Sequence, residues 1–268
     1  MEQKLRLLKH KELEQKSWHN KVNKTNLLKN LTVIEDFITK EEAEKTINLL
    51  DKLNEVRPEF WKPISFYESY SSGYPEDNDP ILAEFGLPSN WFSTLYQRFR
   101  DVVAEVAGVP EEKISKISFH SQKWEPGAFA PLHSDNTSNE GVYGAFTRSR
   151  YACFLYLNDD FEGGELVFPE HDLTILPKTG MLAAFHGGHE NLHEVKVVKK
   201  SNRYTIGSFF DDREEEDYDQ ETRDAWAKEL AEVRAMQKDQ AVEWSSIREE
   251  GKRLTPTGNL IAEEEVKS

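Results

Sequence analysis

The chain has a single cysteine, Cys153, among 268 residues, so neither an intrachain disulfide nor a cysteine-built zinc site can form. No run of about eighteen apolar residues occurs, which argues against a membrane-spanning helix. Positive charge is scarce: 34 Lys and Arg stand against 49 Asp and Glu, a net charge of −15. Such a surface repels phosphate backbones, so neither a nucleic-acid nor a membrane partner is expected. Met1 to Lys16 lacks the apolar stretch of a signal peptide, and one thiol suits a reducing compartment. A cytoplasmic location is therefore expected.

The remaining sequence divides into three parts. Residues 1–30 are polar, with Leu5, Leu8 and Leu13 at the spacing of one weak helical stripe, and are expected to form a lead-in extension. Residues 31–210 carry the structured domain. Leu31–Ile34 reads as a short strand, and Thr39 with Glu42 makes a capping box that opens a helix. A second helix is expected after Ser89 or Asn90, with Trp91, Leu95, Phe99 and Val102 on one face and a stop at Gly108 and Pro110. Between the helices, residues 65–79 read as a long loop, a candidate lid carrying Tyr67, Tyr70 and Tyr74. From residue 114 to 210, seven short β-rich runs alternate with Gly, Pro and Asx turns: 114–120, 151–157, 165–168, 173–176, 181–185, 194–198 and 203–210. That texture predicts an α+β, mainly β chain: a jelly-roll core with N-terminal helices packed on one sheet. Residues 211–268 are expected to hold a solvated acidic linker, then an amphipathic helix with Trp226, Leu230 and Val233, continued by Trp244 and Ile247. This helix is expected to cover the barrel or to form a homodimer contact.

Chemistry concentrates in the histidines. His133 and Asp135 sit two apart, so on an extended segment they project to the same side. His186, His189 and His193 follow, and any of them could add a third ligand. Two histidines and one carboxylate on one face of a metal form the facial triad of non-heme iron oxygenases. Arg203 opens the last β-rich run and shares a face with Thr205 and Gly207. A guanidinium inside a barrel is costly without an anion, and its planar fork suits a carboxylate. His120 and His171 read as structural. Arg148 and Arg150 are candidates for contact with substrate or with a nearby acid.

With these residues in view, the sequence resembles the Fe(II)/2-oxoglutarate dioxygenases of the prolyl 4-hydroxylase type. The resemblance covers about Leu31 to Phe210. It rests on Trp124-Glu-Pro-Gly127, His133-Ser-Asp135, Phe154-Leu-Tyr-Leu-Asn158, Gly163-Gly-Glu-Leu-Val-Phe-Pro169, Pro177-Lys-Thr-Gly180, Leu192-His-Glu-Val195 and Arg203. It implies a double-stranded β-helix, or cupin-like, core. It implies Fe(II) held by His133, Asp135 and His193, which selects His193 over His186 and His189. It implies 2-oxoglutarate anchored by Arg203, with Tyr156, Trp124 and Thr205 nearby, and ascorbate as reductant. The implied reaction hydroxylates an unactivated C–H bond with O₂ and releases succinate and CO₂.

Three positions narrow the resemblance. Trp124 stands where the family usually has a tyrosine, and an indole N–H donates but cannot accept. Position 209 is Phe, where nucleic-acid demethylase relatives carry a second Arg. Asp135 is intact, whereas halogenating relatives replace it with a small residue. The expected substrate is a peptidyl proline. The competing readings are a free amino acid or small metabolite, or a non-catalytic cupin-like binding module.

Overall fold

The computed structural model describes residues 23–57, 60–64, 69–232, 235, 252–254 and 260–262. Helix α1, Lys40–Val56, starts at the capping box: Thr39 Oγ1 accepts the Glu42 N–H, and Glu42 Oε2 accepts the Thr39 N–H at 2.8 Å. Short helix α2, Pro80–Glu84, is capped by Asp79. Helix α3, Trp91–Ala107, ends at Gly108, whose φ of 70° is a left-handed conformation that suits a residue without Cβ. The Trp91 indole donates to Thr46 at 3.0 Å and ties α3 to α1.

The strands are β1 (Asn23–Leu28), β2 (Leu31–Glu35), β3 (Lys62–Ile64), β4 (Ser69–Ser72), β5 (Ser115–Trp124), β6 (Ala130–His133), β7 (Tyr151–Tyr156), β8 (Glu162–Gly163), β9 (Leu166–Phe168), β10 (Leu173–Ile175), β11 (Leu182–His186), β12 (His193–Val195), β13 (Val198–Lys200) and β14 (Arg203–Asp211). An eight-stranded sheet runs β1-β2-β11-β7-β14-β5-β4-β3, and a four-stranded sheet runs β10-β9-β12-β6. Strands β8 and β13 pair separately, as do β15 (Lys252–Leu254) and β16 (Leu260–Ala262).

Alternation along the central strands builds two cores. Cys153, Leu155, Leu182, Ala184, Ile206 and Phe210 join the cluster made with α1 and α3, which includes Leu49, Leu50, Leu95 and Phe99. Ala152, Tyr156, Ala183 and Phe185 join a second cluster with Leu166, Phe168 and Val195 of the smaller sheet. Both faces of the large sheet are thus covered, which is why these strands read as continuous apolar runs. Each fully buried aliphatic or aromatic side chain contributes roughly 2 kcal/mol of transfer free energy. Gly163 (φ 74°) holds the β8–β13 crossing, since a Cβ there would lie 2.0 Å from the Val197 carbonyl oxygen.

The expected α+β, mainly β architecture is present, with corrections at its edges. Residues from Asn23 do not belong to a polar extension: they form β1, which pairs antiparallel with β2. Most of its side chains are exposed, so an edge strand can be polar and escape a hydrophobicity pattern. Residues 69–72, read as part of a loop, form β4 against β5, with Ser69, Tyr70 and Ser72 buried. The run 194–198 is split into β12 and β13, and β6, short and proline-bearing, carries no β-rich signature. The acidic linker is not wholly solvated: Asp211 is fully buried, because Arg148 donates to its Oδ2 at 2.7 Å. The helix after it spans 220–232 in the described residues. The leucine stripe of 1–22, Tyr67, Val233, Trp244 and Ile247 lie outside them.

Candidate active site

His133 ends β6 and His193 begins β12, and these two residues face each other directly across the antiparallel pair. Asp135 lies two residues beyond β6. The structure therefore brings residues sixty positions apart into one cluster, with ligand atoms all within 4.8 Å of one another. His133 Nε2 lies 3.6 Å from Asp135 Oδ1, and His193 Nε2 lies 3.7 Å from Asp135 Oδ2.

Each imidazole is oriented by its other nitrogen. His133 Nδ1–H donates to the Pro131 carbonyl at 2.7 Å, and His193 Nδ1–H to the Asn191 carbonyl at 3.0 Å. Both Nε2 atoms then face Asp135, the arrangement that metal ligation requires. Burial pushes the His193 pKa down to about 4, so its ring is neutral near pH 7. For His133, burial acts the same way, but the hydrogen bond and charge of Asp135 outweigh it and the pKa is raised. Asp135 Oδ2 is buried without a hydrogen-bond partner. A carboxylate so placed, with an imidazole Nε2 beside each oxygen, fits a divalent cation.

Arg203, the first residue of β14, is 3% exposed. Its guanidinium sits 4.8 Å from the Trp124 ring centroid and 5.1 Å from that of Tyr156. Its Nε and Nη1 find no acceptor. Burial lowers its pKa, opposed by Tyr156; burial raises that of Tyr156, opposed by Arg203. A buried cation with two unused donors between aromatic walls fits a carboxylate. His133, Asp135, His193, Trp124, Tyr156 and Arg203 line one pocket, completed by Leu166, Val195, Phe154 and Ala130.

Thr205 is placed differently from expectation. It is fully buried, does not line the pocket, and donates its hydroxyl to Gln122 Oε1 at 3.0 Å. Gln122 also receives the Trp124 indole N–H at 3.4 Å. Gln122 itself lines the pocket and was invisible in the sequence, since no motif marks it. Gly187 was missed too: a Cβ there would lie 2.7 Å from Asp135 Cβ and 2.8 Å from its Oδ2. Asn191 braces the turn before His193, donating from Nδ2 to the His186 carbonyl at 2.8 Å, while His171 contacts its Oδ1 at 3.1 Å. His186 pairs with Glu190, and His189 is exposed, so neither joins the cluster. Arg148 and Arg150 pair with Asp211 and Asp212 rather than with the pocket.

Comparison with known proteins matches residues 118–211 to the 2OG-Fe(II) oxygenase superfamily. That match runs from within β5 to the end of β14 and takes in every residue of the cluster and Arg203. Within the chain, 92 residues are 40% identical to human prolyl 3-hydroxylase 2, a match covering 30% of this chain and 13% of that protein. A similar stretch is 38% identical to 2-oxoglutarate and iron-dependent oxygenase domain-containing protein 3 of Xenopus tropicalis, covering 32% and 25%. The chain thus spans a small part of the length of these relatives. Among solved structures, the domain is similar to the viral collagen prolyl hydroxylase of Paramecium bursaria Chlorella virus-1 in its 2OG complex. The TM-score is 0.50 at 17% identity, over 69% of this chain and 96% of that one. The prolyl-4-hydroxylase of Pseudomonas putida gives a TM-score of 0.50 at 16% identity, over 69% and 94%. These likenesses fix the oxygenase domain's fold as the double-stranded β-helix.

Proposed function

We propose that the protein is a dioxygenase that hydroxylates proline in a peptide, using Fe(II), 2-oxoglutarate and O₂ and releasing succinate and CO₂. The carrying observation is the gathering of the His133 and His193 Nε2 atoms about the Asp135 carboxylate, one near each oxygen, in one pocket with Arg203, whose Nε and Nη1 find no acceptor. His133, Asp135 and His193 would hold the iron, and Arg203 the far carboxylate of 2-oxoglutarate. Bound Fe(II) with 2-oxoglutarate supplies the oxygen activation that no side chain can provide.

The residues do the rest. Pro131 and Asn191 carbonyls fix the tautomers of the two imidazoles. Trp124 and Tyr156 keep water from Arg203, which strengthens its attraction for an anion. Tyr156 stays protonated, because burial raises its pKa, and can donate to the same carboxylate. Leu166, Val195 and Phe154 give the pocket apolar walls that exclude competing water.

Proline as substrate is supported by the names of the similar proteins, prolyl hydroxylases in both comparisons. Ascorbate as reductant, a cytoplasmic setting and a homodimer contact through the helix 220–232 belong to the same proposal. The test incubates the protein with Fe(II), ascorbate, 2-oxoglutarate and a panel of proline-containing peptides. Peptide proline should gain one oxygen in step with succinate, and His133→Ala should show neither. Oxygen appearing only on a free amino acid would overturn the peptide substrate and keep the oxygenase.

A further inference from the structure

We propose that Glu229, on the C-terminal helix, is a positioning residue that latches the loop 136–149 beside the metal cluster and so sets affinity for peptide. The inference rests on the dioxygenase reading for its substrate arm. The loop leaves from Asp135 and returns to β7, so both its ends stand at the cluster. At its start Ser134 Oγ meets Thr137 Oγ1 at 2.8 Å, and Asn139 donates to the Leu132 carbonyl at 3.1 Å. At its end the Gly187 N–H donates to the Arg150 carbonyl at 2.7 Å, next to Asp135.

The middle of the loop is held from outside. Glu229 Oε2 accepts the Ala145 N–H at 2.9 Å. The Arg148 guanidinium lies 5.8 Å from the Trp226 ring centroid while pairing with buried Asp211. Gly144 leaves room for the latch, since a Cβ there would stand 2.4 Å from Glu229 Oε2. The loop presents Val142, Tyr143 and Phe146, which are 65%, 38% and 50% exposed, and Leu132 beside His133 is 41% exposed. Open apolar side chains on a loop that leaves from Asp135, in an otherwise acidic chain, suit an extended peptide rich in proline rings. A loop fixed before binding loses less entropy when peptide arrives, so the latch acts on affinity.

Three variants test this. Glu229→Ala removes the acceptor. Gly144→Ala pushes the flexible carboxylate aside without touching Glu229. Glu229→Gln keeps an oxygen that accepts the same N–H. We expect Glu229→Ala and Gly144→Ala to raise the KM for a proline-containing peptide roughly fivefold, with the 2-oxoglutarate KM unchanged and Glu229→Gln close to wild type. Hydrogen exchange on metal-free protein should show a faster Ala145 amide in the first two variants only. An unchanged Ala145 amide in Glu229→Ala overturns the latch whatever the substrate. A faster amide with an unaltered peptide KM overturns the link to substrate. Both KM values rising together also overturns it, as general loosening. If wild type hydroxylates no peptide, the substrate reading fails, and the exchange measurement still decides the latch.

Discussion

Asp135 buries a carboxylate oxygen that the fold alone does not use. Its Oδ2 is buried without a partner, and its nearest polar neighbours are imidazoles already oriented by backbone carbonyls. Asp135→Ala should therefore leave the metal-free fold intact, since its Oδ2 has no partner and His133, its partner at Oδ1, can give up its proton once the carboxylate is gone. Metal affinity should fall on the order of a hundredfold or more, beyond the ten- to hundredfold typical of supporting residues; Co(II) titration and denaturant melts measure the two. Arg203→Ala should raise the 2-oxoglutarate KM about ten- to hundredfold, the equivalent of losing a bidentate charged contact, with metal affinity retained. Gly187→Ala forces a methyl against the Asp135 carboxylate, so metal affinity should drop roughly tenfold and stability by about 1–3 kcal/mol. His133, Asp135 and Arg203 stood out by residue type and position, whereas His193 was separated from His186 and His189 only by the resemblance to the dioxygenases. Gly187, Gln122 and Asn191 did not stand out. They act through a close approach and through hydrogen bonds between distant segments, which no local pattern records.

Strand β5 shows how an element carries pH dependence. His120 accepts from the Gln122 amide at 3.1 Å, and burial lowers its pKa to about 4. An unfolded histidine titrates near 6.5, so below that pH the unfolded state takes up the proton first. Stability should fall from about pH 6.5 toward pH 4 and level off below. His120→Asn should flatten that slope by about 1–2 kcal/mol between pH 7 and 4.5, read from denaturant melts. At the end of β14, Asp211 is buried against Arg148 and also accepts from the Tyr218 hydroxyl at 3.1 Å. Asp211→Ala should cost about 3–5 kcal/mol, because it leaves a partly buried guanidinium unpaired. The strands with both faces buried were readable as apolar runs. Strands β1 and β4 were not, since one is a polar edge and the other buries serine hydroxyls beside Tyr70.

Across the whole molecule, the two sheets enclose the pocket while α1 and α3 shield the large sheet from behind. We propose that the folding unit runs from Asn23 through the segment ending at Tyr218, wider at both ends than the 31–210 read from composition. The boundaries were hidden because β1 and the 211–218 segment are polar and become structural only through β2 and Arg148. A chain lacking residues 1–29 should melt lower than full length and aggregate more readily, since β2 becomes an open edge. The central claim, that the cluster and Arg203 form one iron and 2-oxoglutarate site, is tested most directly by succinate release from 2-oxoglutarate with Fe(II) and O₂. We predict release by the wild-type protein that depends on iron and is lost in Asp135→Ala, while Arg203→Ala recovers it at high 2-oxoglutarate. Equal release from Asp135→Ala, or none from folded, iron-loaded wild type in the presence of peptide, would contradict the account.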